Sequence, residues 1–340
     1  MCVVGVITAP TTHHEFETVI SSNRIFNVNG ASSVSSTTAT STASISPPRR
    51  GRSVIGKRRA RSGVVMAAPA VILVLLVLGI PIFQALYYSM TDWNGLTAHW
   101  IGPSTYLHEF QNPIFWRVLL NNALLLLAVP IAVMIPMGIA YLLNERVPGW
   151  QLFRSIYFLP TAISWVVIGM VALRFFAADG VLNHLLSAFG LGFIQTDMLS
   201  DQHQALVAVA LTFIWSMVGT NTIIFLTGMA TLEPSLAEAA KVDGAGAWKI
   251  LWHISLPQLK RFIQFATVLT MISAFTALFS LIFVMTGGGP GYGTTTLEFF
   301  VYQTAFSRGL FGTGAMLGII LFVIMAVVGL LQLRLLRTED

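Results

Sequence analysis

Few residue patterns in this 340-residue chain have the spacing of a chemical site, and each stops short of one. GRSVIGKR, Gly51 to Arg58, follows the phosphate-cradling pattern G-x-x-x-x-G-K up to its last place, where such a loop sets Ser or Thr on a magnesium ion. Arg58 stands there instead, no strand leads in, and no helix is due immediately after. TGGGPG, Thr286 to Gly291, lacks both the Lys and the Ser or Thr, and reads as a turn from a helix end into a loop. The histidines at 13, 14, 99, 108, 184, 203 and 253 are scattered, with nothing like H-E-x-x-H. No G-x-S-x-G and no pair of carboxylates at active-site positions occurs, and Asp179, Asp197 and Asp201 read as solvated loop charge. The single cysteine, Cys2, leaves no disulfide or thiolate metal site within one chain. The expectation is a chain with no catalytic residue, no metal and no cofactor of its own.

The stretch that resists a bland reading is EAAKVDGAGAWKILWHISLP, Glu238 to Pro257, at the centre of an interruption over residues 231–261. Pro234 suits a first helical turn, Leu236, Ala239 and Ala240 form a compact apolar face, and Asp243-Gly244 ends the helix where glycine takes a left-handed conformation. A second helix carries Trp248, Ile250, Leu251 and Ile254, and Pro257 is expected to stop it. Trp248 and Leu251 are expected to pack locally. The small residues leave room for another protein to approach the backbone, and most connections need only about 4–6 residues.

The elements around this stretch belong in a bilayer. The chain is 55% hydrophobic, 10% charged and has a mean hydropathy of +0.75, against a charged fraction of about 25% in an average soluble domain. Six segments, near 64–90, 117–143, 155–177, 204–229, 262–286 and 312–335, are long enough to cross the hydrocarbon. They are expected to be helices, since no alternating barrel pattern recurs, and prolines 69, 81, 130, 136 and 160 are expected to kink them. Residues 1–62 read as a disordered Ser/Thr-rich tail followed by a basic run, Arg49 to Arg61, and a membrane domain occupies 63–340 with its core at 117–336. The net charge of +5 forms no basic stripe on a polar fold, so nucleic acid is not a partner; lipid is. With the basic run inside, Arg146, Arg154, Lys241, Lys249, Lys260, Arg261, Arg334 and Arg337 also fall inside, against Arg117, Arg174 and Arg308 outside. Both termini and the 231–261 loop are then cytoplasmic. Trp93, Trp100 and Trp116 suit an interfacial belt at the outer face.

Glu238-Ala239-Ala240, three residues, Gly244, nine residues, then Ile254-Ser255-Leu256-Pro257 resembles, at every fixed position, the EAA-x3-G-x9-I-x-L-P motif of ABC importer permeases. GPSTY at 102–106, NPIFW at 112–116, FLP at 158–160, Asp243-Gly244-Ala245, TGGGPG at 286–291 and QLRLLR at 332–337 extend the resemblance to the carbohydrate subgroup, over roughly residues 60 to 340. The resemblance implies an all-α membrane protein of type I importer architecture in a bacterial inner membrane. It implies as partners a second, similar permease subunit in a heterodimer, a cytoplasmic ATPase dimer that binds the ATP and magnesium, and an extracytoplasmic solute-binding protein. The loop would be the coupling helix. Glu238 would make a polar contact, Ala239 and Ala240 close packing, and Asp243-Gly244 the turn, with Ile254, Leu256 and Pro257 seating the loop on the membrane helices.

The family often has a polar pair ahead of the T-G-G-G-P turn where this chain has Ala277 and Ser280. Trp215, Ser216, Asn221, Ser273, Thr276 and Ser280 are the candidates for lining a path, with helix-to-helix hydrogen bonding as the competing role. Two other classes compete. An ion-coupled secondary transporter would normally show acids or histidines within its spans, and none falls near mid-helix here. A membrane-embedded enzyme or non-transporting anchor would move no substrate at all.

Overall fold

The structure, a computed structural model, describes residues 65–144, 157–194 and 197–337. The expected tail over 1–62, with GRSVIGKR and its basic run, and the topological residues Arg146 and Arg154 lie outside the described residues. The described chain is helical, with a single antiparallel bridge between Thr91 and Trp100. Five helices are long and apolar enough to cross a membrane, or six with one bent pair counted as a span, matching the six segments expected.

Helix α1, Val65–Tyr88, leads through a loop and the short α2, Ser104–Phe110, to the NPIFW segment. There Asn112 Oδ1 accepts from Ile114 N at 3.0 Å and Pro113 takes the first helical position, so α3, Pro113–Leu126, starts capped. The expected second span breaks at Leu127 into α3 and α4, Ala128–Asn144, which puts Pro130 in the first turn of α4, where its missing donor disrupts no ladder bond. The expected third span is not continuous either. A 3₁₀ turn at Leu159–Ala162 precedes α5, Trp165–Phe176, which is capped by Ser164 Oγ, and α6, Val181–Ala188, follows. Pro160 within that 3₁₀ turn and the cap at Ser164 reset the helix rather than kink it.

Helix α7, Gln202–Met229, is the axis of the bundle and packs most extensively on α4. Asp201, expected to be a solvated charge, is its N-cap: Oδ1 accepts from His203 N at 3.0 Å and Gln204 N at 2.9 Å. After the loop elements α8, Pro234–Val242, and α9, Ala247–Ile250, the chain re-enters as α10, Lys260–Thr276, and α11, Leu278–Met285, bent by 41° at Ala277. Thr276 Oγ1 donates to Ile272 O at 3.0 Å, one turn back, and this competition for a ladder carbonyl bends helices. The TGGGPG turn, α12, Leu297–Tyr302, and the long α13, Phe311–Arg337, complete the order.

Pro257 does not stop the loop helix as expected. A π turn at Leu251–Ser255 precedes it, with Leu256 N donating to Leu251 O, and the helix runs on through Leu256–Gln258. The wider turn accommodates the proline ring and its missing N–H. A π turn at Leu75–Gly79 precedes Pro81 of α1 in the same way.

Within lipid, helices gain little from hydrophobic transfer, so association rests on close packing and internal hydrogen bonds. A Cβ added to Gly228 of α7 would lie 2.7 Å from the Phe262 ring and 2.8 Å from Leu259, so this glycine lets the start of α10 press on α7. One cluster joins α4, α5, α7 and α11 around Phe213, Leu278 and Ile282, and a second joins α4, α7 and the loop's foot around Met137, Phe225 and Leu259. Between them Asn221, 0% exposed, donates from Nδ2 to Ala132 O at 2.7 Å and to Thr270 Oγ1 at 2.9 Å, clasping α7 to α4 and α10. Asn221→Ala is expected to cost about 1 kcal/mol, seen as a lowered melting midpoint in detergent. An unchanged midpoint with lost transport would instead assign Asn221 to the substrate path.

Candidate functional site

The 231–261 loop is a projecting helix on an anchored foot. In α8 no residue is buried: Glu238 and Ala239 are exposed, Ala240 is half-buried, Leu236 is 49% exposed and Val242 87%. The helix ends on Asp243 with Gly244 at φ +79°. Gly244 N donates to Lys241 O at 3.1 Å and Ala245 N to Ala240 O at 2.9 Å, the paired bonds of a Schellman cap. Open space surrounds the place where a Gly244 Cβ would stand, so the requirement for glycine is conformational on this chain's side.

The foot is fixed to the bundle. Tyr141 of α4 donates its hydroxyl to Ala247 O at 3.1 Å, Ile250, Leu251 and Leu259 are buried, and Leu256 packs against the second core cluster. Ile254 is half-buried and Pro257 exposed. The expected local packing holds for Leu251, but Trp248 is 69% exposed, its ring edge-on to Trp252 with centroids 5.6 Å apart. Leu236, Val242 and Trp248 thus add exposed apolar area to the small residues of the motif.

The structure does not gather the six path candidates at one place. Ser216 is buried with its hydroxyl donated to Phe213 O at 2.8 Å, and Asn221 forms the clasp described above. Ser273, Thr276 and Ser280 flank the bend at Ala277, with Thr276 exposed and the serines half-buried. Trp215 stands apart on an apolar cavity of about 560 Å³ between α5, α6 and α7, beside Val171, Phe175, Leu182 and Leu211.

Sequence reasoning missed a polar clasp at the end of the bundle opposite α8. Asn121 Nδ2 donates to Tyr292 O at 2.8 Å and Thr295 O at 2.9 Å. Asn122 Oδ1 accepts from Leu297 N at 2.7 Å, capping α12 from another helix, and its Nδ2 donates to Glu298 Oε2 at 3.2 Å. The TGGGPG turn closes on itself, with Thr294 Oγ1 donating to Gly289 O and Thr295 Oγ1 to Gly288 O, both at 2.8 Å. The available signal was the adjacent amides in LLNNALLLL, because two asparagines in an apolar helix demand partners. Glu298 was invisible to a search of the spans, since it lies between the fifth and sixth. Burial pushes its carboxyl up to about 7, against the lowering effect of its own backbone N–H and of Asn122. Among the described residues, no group of three His, Cys, Asp or Glu is placed to hold a metal ion.

The chain belongs to the family of binding-protein-dependent transport system inner membrane components, matched over residues 110–338. It is therefore a multi-pass subunit of an ATP-driven, binding-protein-dependent importer, a class that works with an ATPase and a solute-binding protein. It is similar to the sulfoquinovosyl glycerol transport system permease protein SmoG of Agrobacterium fabrum, 34% identical over 282 residues that cover 82% of this chain and 91% of SmoG. The multiple sugar-binding transport system permease protein MsmF of Streptococcus mutans is 31% identical over 258 residues, covering 75% and 88%. Among solved structures, a bacterial alginate ABC transporter in complex with an alginate pentasaccharide-bound periplasmic protein shares the fold, with a TM-score of 0.71 at 23% identity over 85% of this chain and 98% of that one.

The Glu298 clasp has a pH signature. Its raised value lets the folded state keep a proton between pH 4.5 and about 7 that the unfolded chain has released, so stability falls as pH rises through that window. The melting midpoint of the intact chain is expected to drop between pH 5 and pH 8, and Glu298→Gln, neutral throughout, to flatten that drop. Equal slopes in both proteins would show that Glu298 does not titrate in this range.

Proposed function

We propose that this chain is the non-catalytic membrane subunit of a carbohydrate or polyol importer of a bacterial inner membrane, with both termini and the 231–261 loop in the cytoplasm. ATP and magnesium bind to the partner ATPase, and a second, similar permease completes a heterodimer. The observation that carries this reading is α8: an apolar-edged helix with no buried residue, closed by a Gly244 cap and standing on a foot locked to α4. Exposed leucine, valine and alanines on a short helix suit insertion into a partner's cleft. The carbohydrate class is supported by the names of the relatives, SmoG and MsmF, and by the alginate transporter of like fold. The ion-coupled alternative gains no support from the family or the relatives.

In this mechanism Glu238, Ala239, Ala240, Asp243 and Gly244 meet the ATPase, while Ile254, Leu256 and Pro257 belong to the foot. Closure of the ATPase pair moves α8 as a rigid lever, and the foot hands that displacement to α10 and α4. Ser273, Thr276 and Ser280, at the bend, and Trp215 serve the substrate path; Ser216 and Asn221 serve helix packing. Uptake in proteoliposomes is driven by ATP without an ion gradient.

Gly244→Asp tests the lever. Aspartate tolerates a left-handed backbone better than most residues, so the subunit is expected to insert normally. Its charge and bulk would then face the ATPase, and sugar uptake is expected to fall at least tenfold. Uptake at the wild-type rate would remove α8 from the coupling role.

A further inference from the structure

The foot of the 231–261 loop carries two indoles on the face turned away from the bundle. Trp248 and Trp252 are 69% and 37% exposed, with their rings edge-on to each other. The opposite face of the same turns is closed, since Ile250 and Leu251 between them are buried. Depth decides what the exposed rings meet. Helix α7 has 28 residues, about 42 Å of helix, which matches the ~40–45 Å of a bilayer with its headgroups and leaves Met229, its last residue, in the headgroup layer. Met229 and Leu251 belong to one buried cluster, so the foot lies at that level. The bond from the Tyr141 hydroxyl, in the last turn of α4, to Ala247 O fixes the residue beside Trp248 at the end of a second span.

Charge separates the foot from the tip of the loop. From Ala245 to Arg261 the sequence has no carboxylate, while Lys249, Lys260 and Arg261 are basic. The tip, α8 with its two flanking residues, carries Glu233, Glu238 and Asp243 against Lys241 alone. Anionic lipid headgroups attract the foot and repel the tip. Indoles favour the same layer, because an apolar ring can rest on acyl carbon while its N–H donor stays among polar headgroups. We infer that Trp248 and Trp252 form an interfacial anchor that seats the foot in the phospholipid headgroup layer, with Lys249 beside them reaching lipid phosphate. The foot is then gripped from both sides, by the bundle through Leu251 and by lipid through the indoles, while α8 stands clear of the bilayer. The anchor depends on the membrane-spanning fold, and holds for either orientation of the chain and for any cargo.

The test uses the full chain in nanodiscs of phosphatidylcholine and phosphatidylglycerol, with its eight tryptophans replaced by 5-fluorotryptophan and read by fluorine NMR. Trp248→Phe and Trp252→Phe assign the two resonances, and unchanged positions of the other signals show that the fold is kept. Where a Phe variant shifts the other signals, Tyr at the same position makes the assignment. A phospholipid with a nitroxide on its headgroup is expected to broaden both resonances at least threefold. Val242→Trp, at a position on α8 that is 87% exposed, supplies the comparison: its added signal is expected to be broadened by a water-soluble gadolinium chelate and not by the labelled lipid. Trp248 and Trp252 signals that follow this added signal overturn the anchor. So does lipid broadening that disappears once the ATPase partner is bound, which would make the pair part of a protein-docking surface. Lipid broadening that persists in the assembled complex supports the anchor even if that complex takes up no sugar, in which case only the import reading falls.

Discussion

A bilayer offers no water to a freed peptide group, so every interruption of a spanning helix needs a partner inside the protein. This chain interrupts its helices repeatedly, and polar side chains of α3 meet the freed or unpaired groups at the 286–296 turn. Asn121 and Asn122 of α3 receive the turn and the start of α12, which lie more than 170 residues further along the chain. Asn221 ties the middle of α7 to the carbonyl of Ala132 and to Thr270. Without the first clasp the turn at 286–296 would present unsatisfied N–H and C=O groups at the bundle's end; without the second, the middle of the axis helix would lose its tie to α4 and α10.

Under the proposed coupling role, that division of support is what would carry a mechanical signal across the subunit. The foot of the 231–261 loop is continuous with the bundle through buried Leu251 and Leu259 and the Tyr141 bond, while α8 keeps only a capped turn between itself and that foot. Under that proposal a force on α8 reaches α4 and α10 through the foot. The bend at Ala277, one helix away, is the place where α10 and α11 change direction relative to each other. There Thr276 has already weakened one ladder bond by occupying Ile272 O.

Much of this was legible in the residues. The six apolar segments, the helix start at Pro234, and the left-handed glycine after Asp243 depend on local steric rules and local hydrogen bonds, which are the same in any fold. The breaks were less legible. Pro257 looked like a stop and became an internal residue because a π turn upstream made room for it. Pro160 looked like a kink and became part of a 3₁₀ turn before a new helix start capped by Ser164. The path candidates were chosen by polarity within the spans, and polarity alone does not separate a serine turned to its own helix, as Ser216 is, from one facing a cavity.

The sequence by itself determined that the chain spans a membrane with helices, that it carries the EAA-x3-G-x9-I-x-L-P pattern between the fourth and fifth, and where that stretch turns. These follow from hydropathy, proline and glycine geometry and motif spacing, all properties of contiguous residues. Only the tertiary structure decided that Asn121, Asn122 and Glu298 form one clasp, that Asn221 holds helices together, and that Trp248 stands exposed. Each of those depends on which side chains meet across distant segments, and a buried polar group is defined by its partner rather than by its place in the chain.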